Sequence, residues 1–124
     1  LGTGGGIPGI PIGITGNFRV NLIDVKETRV FELSRLIKIL NKNNIIAKQD
    51  DADNYIKKGG LLVSRCFISS KNVINSLKTN NTTTYLVSSN GEQLDYDSNM
   101  FHVKHENFKI NKDDIRHIDV INVK

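Results

Sequence analysis

Three histidines stand in the last quarter of the chain: His102, His105 and His117. His102 and Lys104 are two positions apart in a β-prone run, so they point to the same side of a strand. His117 and Asp119 have the same relation in the final apolar run. If the two strands are neighbours, two imidazoles, an ammonium and a carboxylate meet on one open sheet face. That set suits metal-free cleavage of a phosphodiester. One imidazole takes the proton of a 2′-hydroxyl, another protonates the leaving 5′-oxygen, and the cation stabilises the crowded phosphorus. Histidine serves both roles because it titrates near neutral pH. His102, Lys104 and His117 are therefore the candidate catalytic residues, with Arg116 and Lys109 as the substrate-binding cations. No metal is expected: H-x-x-H on a strand sends its two imidazoles to opposite faces, and no cysteine or carboxylate completes a ligand set at familiar spacing. No cofactor is expected either.

Other motifs carry less. Gly4, Gly6 and Gly9 fit G-x-G-x-x-G. No strand precedes them, and Pro8 and Pro11 are expected to stop a helix from following, so a dinucleotide site is not assigned there. Asp50, Asp51 and Asp53 lack the glycine and the distal glutamate of a calcium loop and read as complements to a helix dipole. The single Cys66 excludes an intrachain disulfide and reads as a core thiol.

These residues must be positioned by one modest domain. The chain has 124 residues, 38% apolar and 24% charged, which is enough for a core. Its net charge of +4 admits a polyanionic partner without requiring one. Residues 1–16 are uncharged and rich in glycine, isoleucine and proline. They are too interrupted for a membrane span and are expected to form an extended linker or arm. The chain begins without methionine, so a fragment, a processed product or the C-terminal module of something longer is expected. Residues 17–124 are expected to form a single α+β domain.

Within that domain, Asn17–Ile23 alternates as a strand. Asp24 and Glu27 form a capping-box pattern for a helix to about Leu40, with Val30, Leu33, Ile37 and Leu40 on its apolar face. Ile45–Lys48 is a candidate short strand, and Asp50–Gly59 a second helix ending on a glycine cap. Gly59–Ser70 is apolar in both parities and reads as the central strand, buried on both faces. A third helix carries Val73, Ile74 and Leu77. Asn90-Gly91 predicts a two-residue hairpin turn that sets Val87 opposite Leu94 and Tyr85 opposite Tyr96. Strands at Met100–His105, Phe108–Ile110 and Arg116–Val123 follow, with a turn at Asn111–Asp114. The predicted architecture is α+β: short helices in the N-terminal half packed on a mainly antiparallel sheet formed by the C-terminal half.

Helices first and antiparallel sheet after is an order that resembles the barnase and EndoU group of ribonuclease folds. A small basic module behind a Gly/Pro-rich linker also resembles the C-terminal toxin domains of bacterial contact-dependent inhibition proteins. The resemblance is architectural and spans roughly Asp24 to Lys124. It implies a metal-independent ribonuclease with RNA as substrate and a cognate inhibitor or immunity protein as partner. The site of action would be cytoplasmic, after delivery from a larger secreted protein. The second reading is a non-enzymatic module, for phage or viral assembly or for nucleic-acid binding, whose N-terminal arm docks on a neighbour.

Overall fold

A computed structural model of the protein describes residues 1–65, the backbone of 82–88, and residues 96–123. The chain is a mixed helix–strand fold that divides into two compact units, Leu1–Asn54 and Tyr55–Lys124.

The first unit is built around a parallel strand pair. It contains α1 (Gly9–Thr15), β1 (Val20–Asp24), α2 (Glu27–Ile39) and β2 (Ile45–Gln49). β1 and β2 run parallel, Val20 beside Ile45 through Asp24 beside Gln49. Parallel neighbours need a crossover, and α2 supplies it. The apolar face read from the sequence is the one that packs: Leu33 and Ile37 are buried with Leu22, Ile45 and Ile10 in one cluster, with Val20, Leu40 and Ala47 around it. Asn44 joins the pieces, its side-chain amide donating to the carbonyls of Gly13 and Phe18.

Residues 1–16 differ from the extended arm expected of them, because Gly9–Thr15 is helical and Ile10 lies in the core. The two prolines do not prevent this. Pro8 is the N-cap and Pro11 falls in the first turn, where backbone N–H groups have no partner inside the helix. The glycines then permit close packing. A Cβ on Gly9 would run into the Leu22 side chain, and one on Gly13 would lie 2.5 Å from Cγ1 of Ile45. Helix α1 therefore sits directly on the strand pair, as a helix of larger residues could not.

The second unit holds most of α3 (Ala52–Lys58), then β3 (Gly60–Arg65), β4 (Thr82–Ser88), β5 (Phe101–Lys109) and β6 (Ile115–Val123). The helix starts on aspartates as expected: Asp51 accepts from the Asp53 N–H at 2.9 Å. It ends on Gly59, whose φ of +75° is the left-handed cap. The sheet order is β3-β4-β6-β5. β3 is parallel to β4, while β4/β6 and β5/β6 are antiparallel.

That order corrects two expectations. β3 is at one end of the sheet rather than its centre, and it is one-sided, with Leu62 and Ser64 buried and Leu61 60% exposed. β4 has β3 on one edge and β6 on the other, so Val87 stands opposite Arg65 and Ile118 rather than Leu94. The Asn90-Gly91 turn, the Val73–Leu77 helix and Cys66 lie outside the described residues. The turn before the last strand forms as read, closed by the Ile110 N–H on the Asp114 carbonyl. The two short strands expected at Met100–His105 and Phe108–Ile110 are one continuous β5.

Candidate functional site

The five residues assigned to a catalytic face do not assemble there. β5 and β6 are neighbours, but their register sets His102 opposite Asn122, Lys104 opposite Val120 and Asn107 opposite His117. Directly paired residues share a face and successive residues alternate. His102 and Lys104 therefore project from one face, His117 and Asp119 from the other. His102 and His117 also lie five register positions apart, roughly 17 Å at about 3.4 Å per residue. Lys104 pairs with Glu106, Nζ to Oε1 2.6 Å, and both are exposed. Arg116 is bound to Asp114, Nε to Oδ1 2.8 Å. Lys109 is exposed on β5. His117 is taken up by Asn107 across the ladder.

The face opposite His102 holds a different cluster. Asp119 is 4% exposed. Its carboxylate accepts the Tyr96 hydroxyl at 2.7 Å and lies 2.6 Å from His105 Nδ1. Burial and the adjacent carboxylate push the Tyr96 phenol well above its ordinary value. A buried carboxylate with two partners is satisfied, and the arrangement fixes the strand pair.

The more consequential geometry is in the first unit, at the carboxyl end of β1. Strand β1 ends on Asp24, whose side chain is 3% exposed. Its Oδ2 accepts the Gly4 N–H at 3.0 Å and its Oδ1 accepts the Lys26 N–H at 3.0 Å. Arg29 stands 3.6 Å from Oδ2. Burial pushes this carboxyl's pKa up, but the N–H groups of Lys26 and Gly4 and the Arg29 guanidinium outweigh it and hold the pKa below the ordinary value. The capping box expected between Asp24 and Glu27 is not made, since α2 has Lys26 at its N-cap without a side-chain cap. The carboxylate is turned back to the glycine loop instead.

That loop is fixed at both ends and open in the middle. Thr3 donates its N–H to the Ile23 carbonyl, Gly6 donates to the Thr3 carbonyl, and Ile10 donates to the Gly6 carbonyl. Gly4 and Gly6 have φ of +53° and +86°, a conformation that side chains resist. A Cβ on Gly4 or Gly5 would meet nothing within 4 Å. The backbone there can be approached closely by a ligand, at the carboxyl end of a parallel strand, where open α/β sheets bind their ligands. A carboxylate beside a bare glycine loop is an arrangement in which a ligand's hydroxyl groups could find an acceptor. Among the described residues no group of three or more His, Cys, Asp or Glu is arranged to hold a metal ion.

The sequence carried a signal for this site. Gly4, Gly6 and Gly9 had the fingerprint, and Asp24 follows Gly4 by 20 residues, the interval at which such loops place their acidic partner. What hid it was the lack of a strand before the glycines, together with the reading of Pro8 and Pro11 as helix breakers.

The family model GidB, described as rRNA small subunit methyltransferase G, matches residues 1–119. No curated protein matches the chain by sequence. Among solved structures, an Escherichia coli protein named as the methyltransferase yhhF is 14% identical, with 97% of this chain and 73% of that one covered at a TM-score of 0.73. An rRNA methylase of Streptococcus thermophilus is 11% identical, with 98% and 82% covered at 0.62. A variant of MtNAS in complex with S-adenosylmethionine is 14% identical, with 99% and 53% covered at 0.75. At these identities the likeness is one of fold. The expected ribonuclease toxin is thereby corrected, as is the binding or assembly module kept beside it. The helix-then-sheet order that resembled a nuclease belongs to a chain whose first half is a β-α-β unit and whose family transfers methyl groups. By the match over residues 1–119, this chain belongs to the rRNA small subunit methyltransferase G family.

Proposed function

We propose that the protein methylates ribosomal RNA with S-adenosylmethionine as donor, and that the Thr3–Gly6 loop with Asp24 is its donor site. The observation that carries this reading is the bond from the Gly4 N–H to the Asp24 carboxylate, 3.0 Å, which fixes an open glycine loop against the end of a parallel strand. The family supports the reaction and the acceptor class, and the complex of MtNAS supports the donor. On this reading residues 1–16, expected as an arm, belong to the ligand site.

The donor, when bound, supplies a methyl group activated by its attachment to a sulfonium centre. The chain's part is binding and orientation. Asp24 would accept from the ribose hydroxyls. The Gly4–Gly5 backbone would lie close to the donor because no Cβ intervenes. The Ile10, Leu22 and Leu33 cluster behind the loop holds α1 and β1 rigid. The net charge of +4 suits an RNA acceptor. Among the described residues no helix is long and apolar enough to cross a membrane.

Calorimetry with S-adenosylmethionine and its demethylated product S-adenosylhomocysteine, followed by transfer of a labelled methyl group to small-subunit rRNA, tests the proposal. Saturable binding that is weakened by Asp24→Asn, together with label in the RNA, is the expected result. Absence of binding to either compound by the wild type would overturn it.

A further inference from the structure

Helix α2 buries one side and carries a second apolar feature on the other. Leu33 and Ile37 lie in the core, while Phe31 and Ile39 are 64% and 77% exposed. Phe31, Arg35 and Ile39 follow one another at intervals of four, so they form one row along the helix, roughly 12 Å from end to end. Lys38 stands beside that row and is exposed, as is Arg35. Scattered exposed apolar residues are ordinary. An exposed ring and an exposed branched side chain interleaved with cations on one helix face are a patterned surface. A lysine in the last turn suits the helix dipole, but the dipole gives no reason for Phe31 or Ile39. Among the described residues the ion pairs engage Arg29, Lys104, His105 and Arg116, and neither Arg35 nor Lys38 is in one. From Lys26 to Lys42 five cations stand against two carboxylates.

We infer that this outer row of α2 docks an unpaired stretch of the RNA acceptor, with Phe31 stacked on a base and Arg35 and Lys38 against phosphates. The inference rests on the proposed function, which takes RNA as acceptor, and adds a surface apart from the glycine loop and Asp24. Charge chooses the occupant. A second copy of the chain laid on the same row would set cations against cations. The buried centre of a protein interface is depleted in lysine. A helix that lies on a membrane needs a continuous apolar face, and here Arg35 separates the two apolar side chains. Single-stranded RNA asks for what the row has: cations for the backbone and a flat ring for a base. Ile39 gives a neighbouring base an apolar surface.

Fluorescence anisotropy with a labelled single-stranded fragment of small-subunit rRNA, and with a duplex of the same length, reads docking without the donor. Phe31→Ala and Phe31→Leu are expected to weaken single-strand binding by about fivefold or more, the scale of one lost base–aromatic stack. Duplex binding should change less. Arg35→Gln combined with Lys38→Gln should flatten the slope of log affinity against log salt by about 1.4, two phosphate contacts at about 0.7 each. Lys109→Gln combined with Lys112→Gln alters two exposed lysines around the β5–β6 turn. This charge-matched control should change the slope by less than half as much. Every variant should keep the melting temperature of the wild type and its affinity for S-adenosylhomocysteine in calorimetry, because the row lies outside both the core and the loop. Unchanged single-strand affinity in the Phe31 variants, or an equal slope change in the control, would overturn the inference and leave the donor site standing. Tighter wild-type binding to the duplex than to the single strand would also overturn it. Phosphatidylglycerol vesicles bound by the wild type and released by the Phe31 variants, with RNA affinity intact, would overturn it in favour of a membrane surface. Wild-type dimers in sedimentation that the Phe31 variants lack, again with RNA affinity intact, would overturn it in favour of self-association. Failure of the wild type to bind S-adenosylhomocysteine, with RNA docking lost in the Phe31 variants, would remove the donor site and uphold the surface.

Discussion

Replacing Asp24 with asparagine changes little in shape and much in bonding. The carboxylate accepts two backbone N–H groups, from Gly4 and Lys26, both at 3.0 Å. An amide has one acceptor oxygen, so one of the two N–H groups must face an NH2 donor. Losing a hydrogen bond to a charged acceptor costs about 1.5–3 kcal/mol. The Arg29 contact at 3.6 Å adds a few tenths at most, because the arginine is about half exposed and screened. A net loss of about 2–3 kcal/mol corresponds to a melting temperature lower by roughly 6–15 °C for a chain of this size.

Acidity gives the same prediction a second axis. The folded pKa of Asp24 lies below its ordinary value of 3.8. The ionised group therefore stabilises the fold fully above the unfolded pKa, and that contribution disappears as pH falls through the lower folded pKa. Thermal unfolding of wild type and Asp24→Asn should differ by a constant gap from about pH 8 to 5, closing below about pH 4 as Asp24 protonates. In calorimetry the variant should bind S-adenosylhomocysteine at least tenfold more weakly. A melting temperature within about 1 °C of wild type, with no closing of the gap in acid, would refute the assignment of Asp24 as the loop's anchor.

Gly5→Ala should leave the melting temperature unchanged, since its Cβ meets nothing within 4 Å, yet weaken S-adenosylhomocysteine binding severalfold in calorimetry by blocking close approach. Gly13→Ala should do the reverse in stability, costing about 1–3 kcal/mol in urea unfolding as the new Cβ pushes α1 off Ile45. His102→Ala and Lys104→Ala sit on an exposed strand face and should each shift stability by less than about 0.5 kcal/mol in the same assay. Tyr96→Phe removes one of the two partners that the buried Asp119 carboxylate has among the described residues and should cost about 1–3 kcal/mol, read by thermal unfolding.

Where the sequence was legible, local and tertiary preferences agreed. The α2 face, the α3 ends and the β5–β6 turn follow from apolar spacing, charge placement and cap chemistry, each satisfied within a few residues. Two of the failures were of partnership. Asp24 and Glu27 had the spacing of a capping box, but a carboxylate can be claimed by any donor, and Gly4 claimed it from 20 residues away. Val87 had a plausible hairpin partner in Leu94, but β4 filled both its edges with strands whose pairing spans dozens of residues. No local pattern ranks such competitors.

The histidine site failed on parity and on distance along the ladder, and this decides how such clusters should be read. Alternation correctly put His102 with Lys104, and His117 with Asp119, within their own strands. It could not say which face of β5 matches which face of β6, because that depends on register. Here Lys104 meets Val120 and His105 meets Asp119. A slip of one residue would have brought Lys104 beside Asp119, although His102 and His117 would still stand four register positions apart. Register is in turn set by burial. Phe101 and Ile121 are 2% and 0% exposed on the face that also carries Asp119. Shifting β5 by one residue would bring Phe101 out and send Lys104 in. Burying an aromatic ring is worth about 1.5–3 kcal/mol, and burying an unpaired ammonium costs more than that. The apolar pair thus outweighs any arrangement of polar residues on the opposite face. The glycine loop was the safer signal of the proposed site for the same reason. Its residues are consecutive, and its acidic partner lies across one helix and one strand, α1 and β1, so no distant register intervenes between the loop and the carboxylate.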